Sequence, residues 1–459
     1  MTTAIIILGA LLLTAFAIPR PGRRILPVYA FIVPAGSIVE IELPLGPPFN
    51  TLSSLLGACV VIAILVHLAA YRDGRVPTLP LAMWMVFLAW TMATALYAIN
   101  SAAAFETVLV AIPLVALAIM VGLTPTDDED LDAVRLGLIV SGVAVGMYAI
   151  GLLASGASLT DVEAEGRLVI ASSGGVTDPN ILAASLLLPF ALSLERLILG
   201  GTRYMRPRAW RALGLAGVLL TVFAITITGS RGGLVSVALA MVLVLWFARR
   251  IPGARHMVRR AAITVLGSIG AVLGLVVIAA QVAPGSRVAE VIHVLPLGRI
   301  SDTEAGGSGR IEIWTTGAQL CREYCATGSG IGTFPTAFNQ VFAFSGVGQS
   351  VGADRPAHSI FLELAVELGI PGFTLLILAL LAEGRALALA DLRRTAAVKA
   401  AFISVLAANL FLSTIWFKYF WLVVVLIRMV EHPSPAGPDV PAAPPDRVGT
   451  RRAPPLARA

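Results

Sequence analysis

Four short stretches of the chain hold residues that could do chemistry. The first, TGSRGGL at 228–234, sets Arg231 among Gly229, Gly232 and Gly233 in a short turn between two long apolar runs. The glycines leave the backbone bare, and the following helix aims its unpaired N–H groups and positive dipole end at the spot the guanidinium occupies. That combination describes an anion site at a membrane boundary. The second, SGRIEIWTTGAQLCREYC at 308–325, places Arg310 at the start of a predicted helix whose apolar positions Ile311, Trp314, Ala318, Cys321 and Cys325 recur at helical spacing. In the third, SSGGVTDPN at 172–180, Asp178 is a predicted N-cap, Pro179 takes the first helical position, Asn180 follows, and Arg167 lies just upstream. The fourth, DRPAHSIFLELAVELGIPG at 354–372, predicts a helix beginning near His358 and ended by Gly369 and Pro371. It is too short and too acidic to cross a bilayer, so an interfacial helix is expected, with Ser359 and Glu363 near the imidazole.

Each feature also has an ordinary explanation. A lone arginine at a membrane surface can snorkel to lipid headgroups. Arg310 has Glu312 and Glu323 close by as ion-pair partners. A single histidine at a helix start is more often a structural hydrogen-bonding residue than a catalyst, and Glu363 and Glu367, at i and i+4, can form the wet face of their helix. Cys321 and Cys325 suit a disulfide on an oxidising face and two small buried residues equally well.

The elements that must position these residues are membrane helices. The chain has 459 residues, of which 57% are hydrophobic and only 13% charged, and its mean hydropathy is +0.87. That much apolar surface, recurring in blocks of bilayer-crossing length, defines an all-α polytopic membrane protein. About thirteen helices are expected, near 3–18, 25–39, 52–71, 78–97, 103–122, 132–154, 180–199, 209–228, 232–248, 261–281, 370–388, 396–414 and 415–430, the second and last being short for full spans. The first block lacks a preceding Lys or Arg and is followed by PRPGRR, the reverse of a secretory signal, so it reads as a retained helix.

Arginine-rich short loops at 196–211 and 248–260 mark the cytoplasmic side, and YRDGR at 71–75 and the 383–394 region agree with them. The same parity puts 155–179, the Arg231 turn and the long loop within 282–369 outside the cytoplasmic membrane, so the notable charges gather on one face. Residues 1–432 thus form one membrane domain, and 433–459, rich in Pro, Ala and Arg, reads as a disordered cytoplasmic tail. No zinc spacing, Walker loop or nucleotide fingerprint is apparent, which leaves no cofactor, metal or nucleic-acid partner expected.

Arg167 with GGVTDPN, then TGSRGGL, then GRIEIW with a downstream GSGIGTF, then AHSIFLELAVELGIPG, in this order over roughly residues 25–430, resembles the O-antigen ligase and O-antigen polymerase superfamily. Two positions depart from the family pattern, Ser359 where Asn usually follows the His, and CREYCATG where a Pro often stands. The resemblance implies a C-type, all-helical glycosyltransferase with about 12–13 spans and a large outer loop containing short helices. Its donor would be a glycan on polyprenyl diphosphate, such as undecaprenyl diphosphate, and its acceptor a hydroxyl of a glycan, lipid or protein. Arg231 and Arg310, with Arg167 in support, would stabilise the departing diphosphate. His358 would take the acceptor proton, with Glu363 orienting it, in an inverting, metal-independent displacement. A lipid-linked glycan transporter or flippase, or a non-catalytic envelope assembly factor, are the rival classes. The transporter should carry ionisable residues deep in the membrane.

Overall fold

The computed structural model describes residues 2–39, 41–46, 48–155, 171–172, 175–176, 178–200, 206–282, 310–345 and 355–431. Its helices in chain order are α1 Thr2–Ala17, α2 Pro21–Arg24, α3 Leu26–Val39, α4 Leu52–Tyr71, α5 Leu79–Ala95, α6 Ser101–Leu123, α7 Asp128–Ser155, α8 Pro179–Ser185 and α9 Leu187–Leu199. There follow α10 Pro207–Ile227, α11 Arg231–Ala248, α12 Arg255–Val282, α13 Arg310–Tyr324, α14 Phe334–Ser345, α15 Ile360–Glu367, α16 Gly369–Leu389, α17 Leu392–Ala408 and α18 Lys418–Glu431. The sole sheet among the described residues pairs Ala171 with Val176 and Ser172 with Gly175. Seven of these helical stretches, the continuous pair Pro179–Leu199 among them, are long and apolar enough to cross a membrane. The chain is an all-α, multi-pass membrane protein.

Every expected membrane segment coincides with a helix, and the differences have local causes. The 180–199 stretch is divided at Leu186, because Pro189 has no N–H to give the Ser185 carbonyl four residues back. The 396–414 helix stops at Ala408. There Asn409 bonds the Val405 carbonyl (2.8 Å) through its amide nitrogen, and its amide oxygen accepts from the Thr414 N–H (3.1 Å) and hydroxyl (2.7 Å). Those bonds satisfy a sharp turn that replaces the last helical residues. The doubtful 415–430 segment becomes α18, whose residues from Tyr419 to Val430 are all buried, so it is a central pillar and does not face lipid. It packs against α6, α16 and α17. An apolar-all-round helix has its natural place there.

Small residues let the neighbouring helices close up. A Cβ on Gly146 of α7 would stand 2.6 Å from the Leu220 carbonyl oxygen of α10, and one on Gly214 of α10 would stand 2.7 Å from the Ser193 carbonyl oxygen of α9. Close backbone approach is how membrane helices gain dispersion energy without a hydrophobic drive between them.

The segment between α12 and α16 builds a second, smaller core from Ile313 and Leu320 of α13, Phe334 and Phe338 of α14, Ala357 and Val366. The buried face of α13 is therefore rotated from the expected one. Ile313, Thr316, Gly317 and Leu320 are inside, whereas Ile311 (67% exposed) and Ala318 face out. Gly317 sets this rotation, since a Cβ there would meet Leu362 of α15 at 2.7 Å. Cys321 and Cys325 are joined in a disulfide on the edge of this core.

The expectation that notable charges gather on one face is corrected by the fold. A second set lies buried toward the other ends of the helices. Glu383 of α16 accepts from Trp84 Nε1 (2.8 Å) and pairs with Arg428 of α18, which also reaches Glu431. Asp132 and Arg135 of α7 form a cluster with Glu195 and Arg196 of α9. The tail at 433–459 lies outside the described residues.

Candidate functional site

Three elements meet at the TGSRGGL turn. Ser230 is the N-cap of α11, and its hydroxyl oxygen accepts from Gly233 N (3.0 Å) while donating to Asn180 Oδ1 (2.7 Å). Asn180 is held in turn by Asp178, the N-cap of α8, whose Oδ1 accepts from the Asn180 backbone N (2.7 Å) and Nδ2 (2.9 Å). The hydrogen-bond chain Gly233–Ser230–Asn180–Asp178 therefore welds the starts of α8 and α11, two helix N-termini directed at one region. Gly229 turns the chain at φ +62°. Gly233 is fixed by contact, because a Cβ there would stand 2.5 Å from Ala183 Cβ, whereas Gly232 has open space beside it. Arg231 is the first residue of α11 and is exposed.

Arg310, the first residue of α13, reaches the same place. It lines a small cavity with Asn180, Ser230, Gly232, Ser236 and Phe411. Burial lowers its pKa, the Asp178 carboxylate opposes that shift, and the positive charge of Arg231 adds to it. The carboxylate it feels is Asp178 and not Glu312 or Glu323, and its Nε has no hydrogen-bond partner.

His358 completes the group, though not as the start of a helix. It sits in the turn before α15 with φ +48°, a left-handed conformation that a non-glycine residue adopts only when its surroundings impose it. The imposition is visible on both sides. Trp314 Nε1 donates to the Ala357 carbonyl (3.1 Å), and Ile360 N donates to the carbonyls of Asn409 (3.1 Å) and Leu412 (3.0 Å). Trp314 packs its ring against Phe411 at 5.9 Å. Burial holds the half-buried imidazole below the usual histidine pKa. Arg310 pushes it the same way, Asp178 partly restores it, and Arg355 lowers it again. Ser359 caps α15 through its carbonyl, which accepts from Glu363 N (2.9 Å), while its hydroxyl makes no capping bond.

Glu363 and Glu367 do not form a wet face. Glu363 is half-buried. Burial raises its pKa, while Ser413 and the Ala357 N–H, next to His358, favour its charged form. Glu367 is 2% exposed. Its Oε2 accepts from Gly332 N (2.9 Å), its Oε1 accepts from Phe334 N (2.9 Å), and its own carbonyl accepts from Gly330 N (2.9 Å). Burial first, and Glu363 second, push its pKa up to about 8, against those two N–H bonds. The GSGIGTF loop at 328–334 is thus fastened to the end of α15. Gly330 needs its φ of +104° and its missing side chain, since a Cβ there would strike the Ala98 Cα at 2.5 Å.

The structure thus brings Arg231, Arg310, His358, Asp178 and Asn180 together from parts of the sequence far apart, with Ser359 and Glu363 behind them. Arg167 lies outside the described residues. Sequence reasoning missed Arg355, Ser230, Trp314 and the anchoring role of Glu367. Only the alternate glycines of GSGIGTF hinted at the last. Among the described residues no group of three His, Cys, Asp or Glu converges as a metal-binding set.

The chain is a multi-pass helical membrane protein in which two guanidiniums, two helix N-termini and an imidazole come together. Residues 216–377, which include TGSRGGL, GRIEIW and the His358 turn, match the family model described as O-antigen ligase. The match, over about a third of the chain, supports a place in the O-antigen ligase superfamily and, at family level, ligase-like glycosyl transfer. No curated protein matches the chain.

Proposed function

We propose that the chain transfers a glycan from polyprenyl (undecaprenyl) diphosphate to an acceptor hydroxyl on the outer face of the cytoplasmic membrane, with inversion at the anomeric carbon. The observation that carries this reading is the convergence of Arg310 and His358 on the Asp178 carboxylate, with Arg231 beside Arg310. As the acceptor oxygen bonds to the anomeric carbon, an imidazole nitrogen of His358 takes its proton. The bond from that carbon to the diphosphate oxygen breaks, and its electron pair leaves with polyprenyl diphosphate. Arg231 and Arg310 meet the charge that grows on the departing oxygen. A fixed guanidinium fork suits phosphate geometry and does this work without a metal.

The lowered pKa of His358 supports its part as base, because the imidazole stays neutral and proton-accepting at physiological pH. The deep charges expected of a transporter are present, but Glu383, Arg428, Glu195 and Arg196 are paired with one another or with neighbours, as a structural network would be. The test is to incubate purified full-length protein with a polyprenyl-diphosphate glycan and candidate hydroxyl acceptors and to analyse the products by mass spectrometry. Glycosylated acceptor and free polyprenyl diphosphate are expected in equal amounts. Product formation at the parental rate by Arg231→Ala would sink the proposed site.

A further inference from the structure

At the end of the bundle away from the candidate site, α11 passes into α12 through a turn spanning 249–254. The turn is fixed. Ile251 and Ala254 are buried against Ala396, and Arg393 Nη2 donates to the Pro252 carbonyl at 3.3 Å. A pocket of about 580 Å³ opens on it, lined by Arg249, Arg250, Arg255, Val258, Arg259 and Ala262. The four arginines are exposed, and the ion pairs found among the described residues involve other cations.

Solvated arginines that merely hold a loop on one side of a membrane would explain the charge, but not two further features. Arg249 and Arg250 both lie over the ring of Trp246, 3.9 and 4.6 Å from its centroid, so their guanidiniums are pre-positioned at an interfacial aromatic. The apolar part of the lining also does not end at the pocket. Beyond Val258 and Ala262, α12 presents Ile263 (62% exposed) and Leu266 (57% exposed) to its surroundings. Arg255 and Arg259 are one helical turn apart, and Ile263 and Leu266 continue along that side. A cationic mouth leading into an exposed apolar strip matches a ligand with a charged head and a hydrocarbon tail. A free phosphate would use only the first half of it.

We infer that this pocket binds the phosphate headgroup of an anionic phospholipid, with an acyl chain lying along α12. The inference is independent of the glycosyl-transfer reading, since it uses none of the same residues. Basic pockets beside membrane helices recognise anionic headgroups through this combination of charge and depth.

The full-length protein, purified in detergent, would be titrated with short-chain phosphatidylglycerol, short-chain phosphatidylcholine and glycerol phosphate. Bound ligand would be read by native mass spectrometry and by the shift in Tm. Phosphatidylglycerol should bind and raise the Tm, the other two should not, and each of Arg249→Gln, Arg255→Gln and Arg259→Gln should weaken its binding about fivefold. Arg208→Gln, an exposed charge removed from the start of α10, should leave it unchanged. Unchanged binding in the triple variant that combines Arg249→Gln, Arg255→Gln and Arg259→Gln, or phosphatidylcholine binding equally well, would overturn the site. Glycerol phosphate binding as tightly as the lipid would overturn the lipid assignment. Arg259→Gln alone keeps the test readable should the triple variant express poorly.

Discussion

Two kinds of charge cluster in this protein obey opposite rules. In the buried network between α5, α16 and α18, Arg428 meets Glu383 and Glu431 and reaches Thr78 Oγ1 at 3.2 Å, and Glu383 is further held by Trp84. In the one between α7 and α9, Arg135 and Arg196 share Asp132 and Glu195 at 3.4–3.7 Å. Every cation there has its carboxylate. At the candidate site the Asp178 carboxylate acts on both Arg310 and His358, while Arg231 adds positive charge at Arg310 and Arg355 adds it at His358. Matched charges fill their own fields and hold helices together. Under the proposed function, the positive charge at the two helix N-termini would hold a field open for an anionic group of the substrate.

If that contrast is right, breaking a matched pair costs stability and breaking the excess costs activity. The largest effect should come from Arg428→Met, which strands Glu383 in the interior. About 3–5 kcal/mol of stability should be lost, read as a lowered midpoint of thermal or denaturant unfolding. The double variant Arg428→Met with Glu383→Gln should recover much of it. An unchanged midpoint in the single variant would show that the pair is not carrying structure.

Arg231→Ala should do the reverse. Transfer should fall about 10²–10³-fold, as when one donor to a developing oxyanion is removed, while the unfolding midpoint barely moves because the side chain is exposed. Arg231→Lys should recover only part, since an ammonium keeps the charge and loses the fork. A fall in stability equal to the fall in activity would erase the contrast between the two kinds of cluster.

A smaller effect is expected at Glu367, which belongs to neither class, being a buried carboxylate held by backbone N–H groups. Above the pKa of about 8, where both carboxylate oxygens accept, Glu367→Gln turns one of them into a donor that faces the N–H of Gly332 or Phe334. About 1–3 kcal/mol should be lost, with faster hydrogen exchange at 328–334. Exchange as slow as in the parent would show that the loop is held by packing alone.

These contrasts were only partly visible in the sequence. Blocks of apolar residues are read directly, because a helix needs length and hydropathy, and thirteen segments fell where helices stand. Arg231, Arg310 and His358 were legible because glycines, helix starts and family motifs mark them. The buried networks were not. Glu383 and Arg428 are 45 residues apart, and no local pattern announces that two ionisable residues in separate helices will meet. The face of α13 was misjudged for a related reason. Its pattern of apolar residues was compatible with two rotations, and Leu362 of α15, which packs onto Gly317, chose between them from outside the helix. Glu367 read as a surface residue because its partners are backbone groups, which sequence does not distinguish.

The finest test of the excess-charge cluster is its effect on the acid limb of the pH profile. His358 acts as base only when neutral, so kcat/KM should rise with pH through the pKa of its imidazole and level off above it. Burial first, and Arg310 next, depress that pKa, so the limb should lie on the acid side of an ordinary histidine. Arg310→Gln removes a cation that disfavours the imidazolium, and the limb of the residual activity should move to higher pH. Asp178→Asn removes the anion that favours the imidazolium while keeping a residue able to cap α8, and the limb should move lower. A substitution that merely loosened the fold would lower the rate without moving the limb, or would move it the same way in both variants. Opposite displacements, small as they are, would place both groups in the electric field of His358, and coincident profiles would remove the imidazole from the reaction.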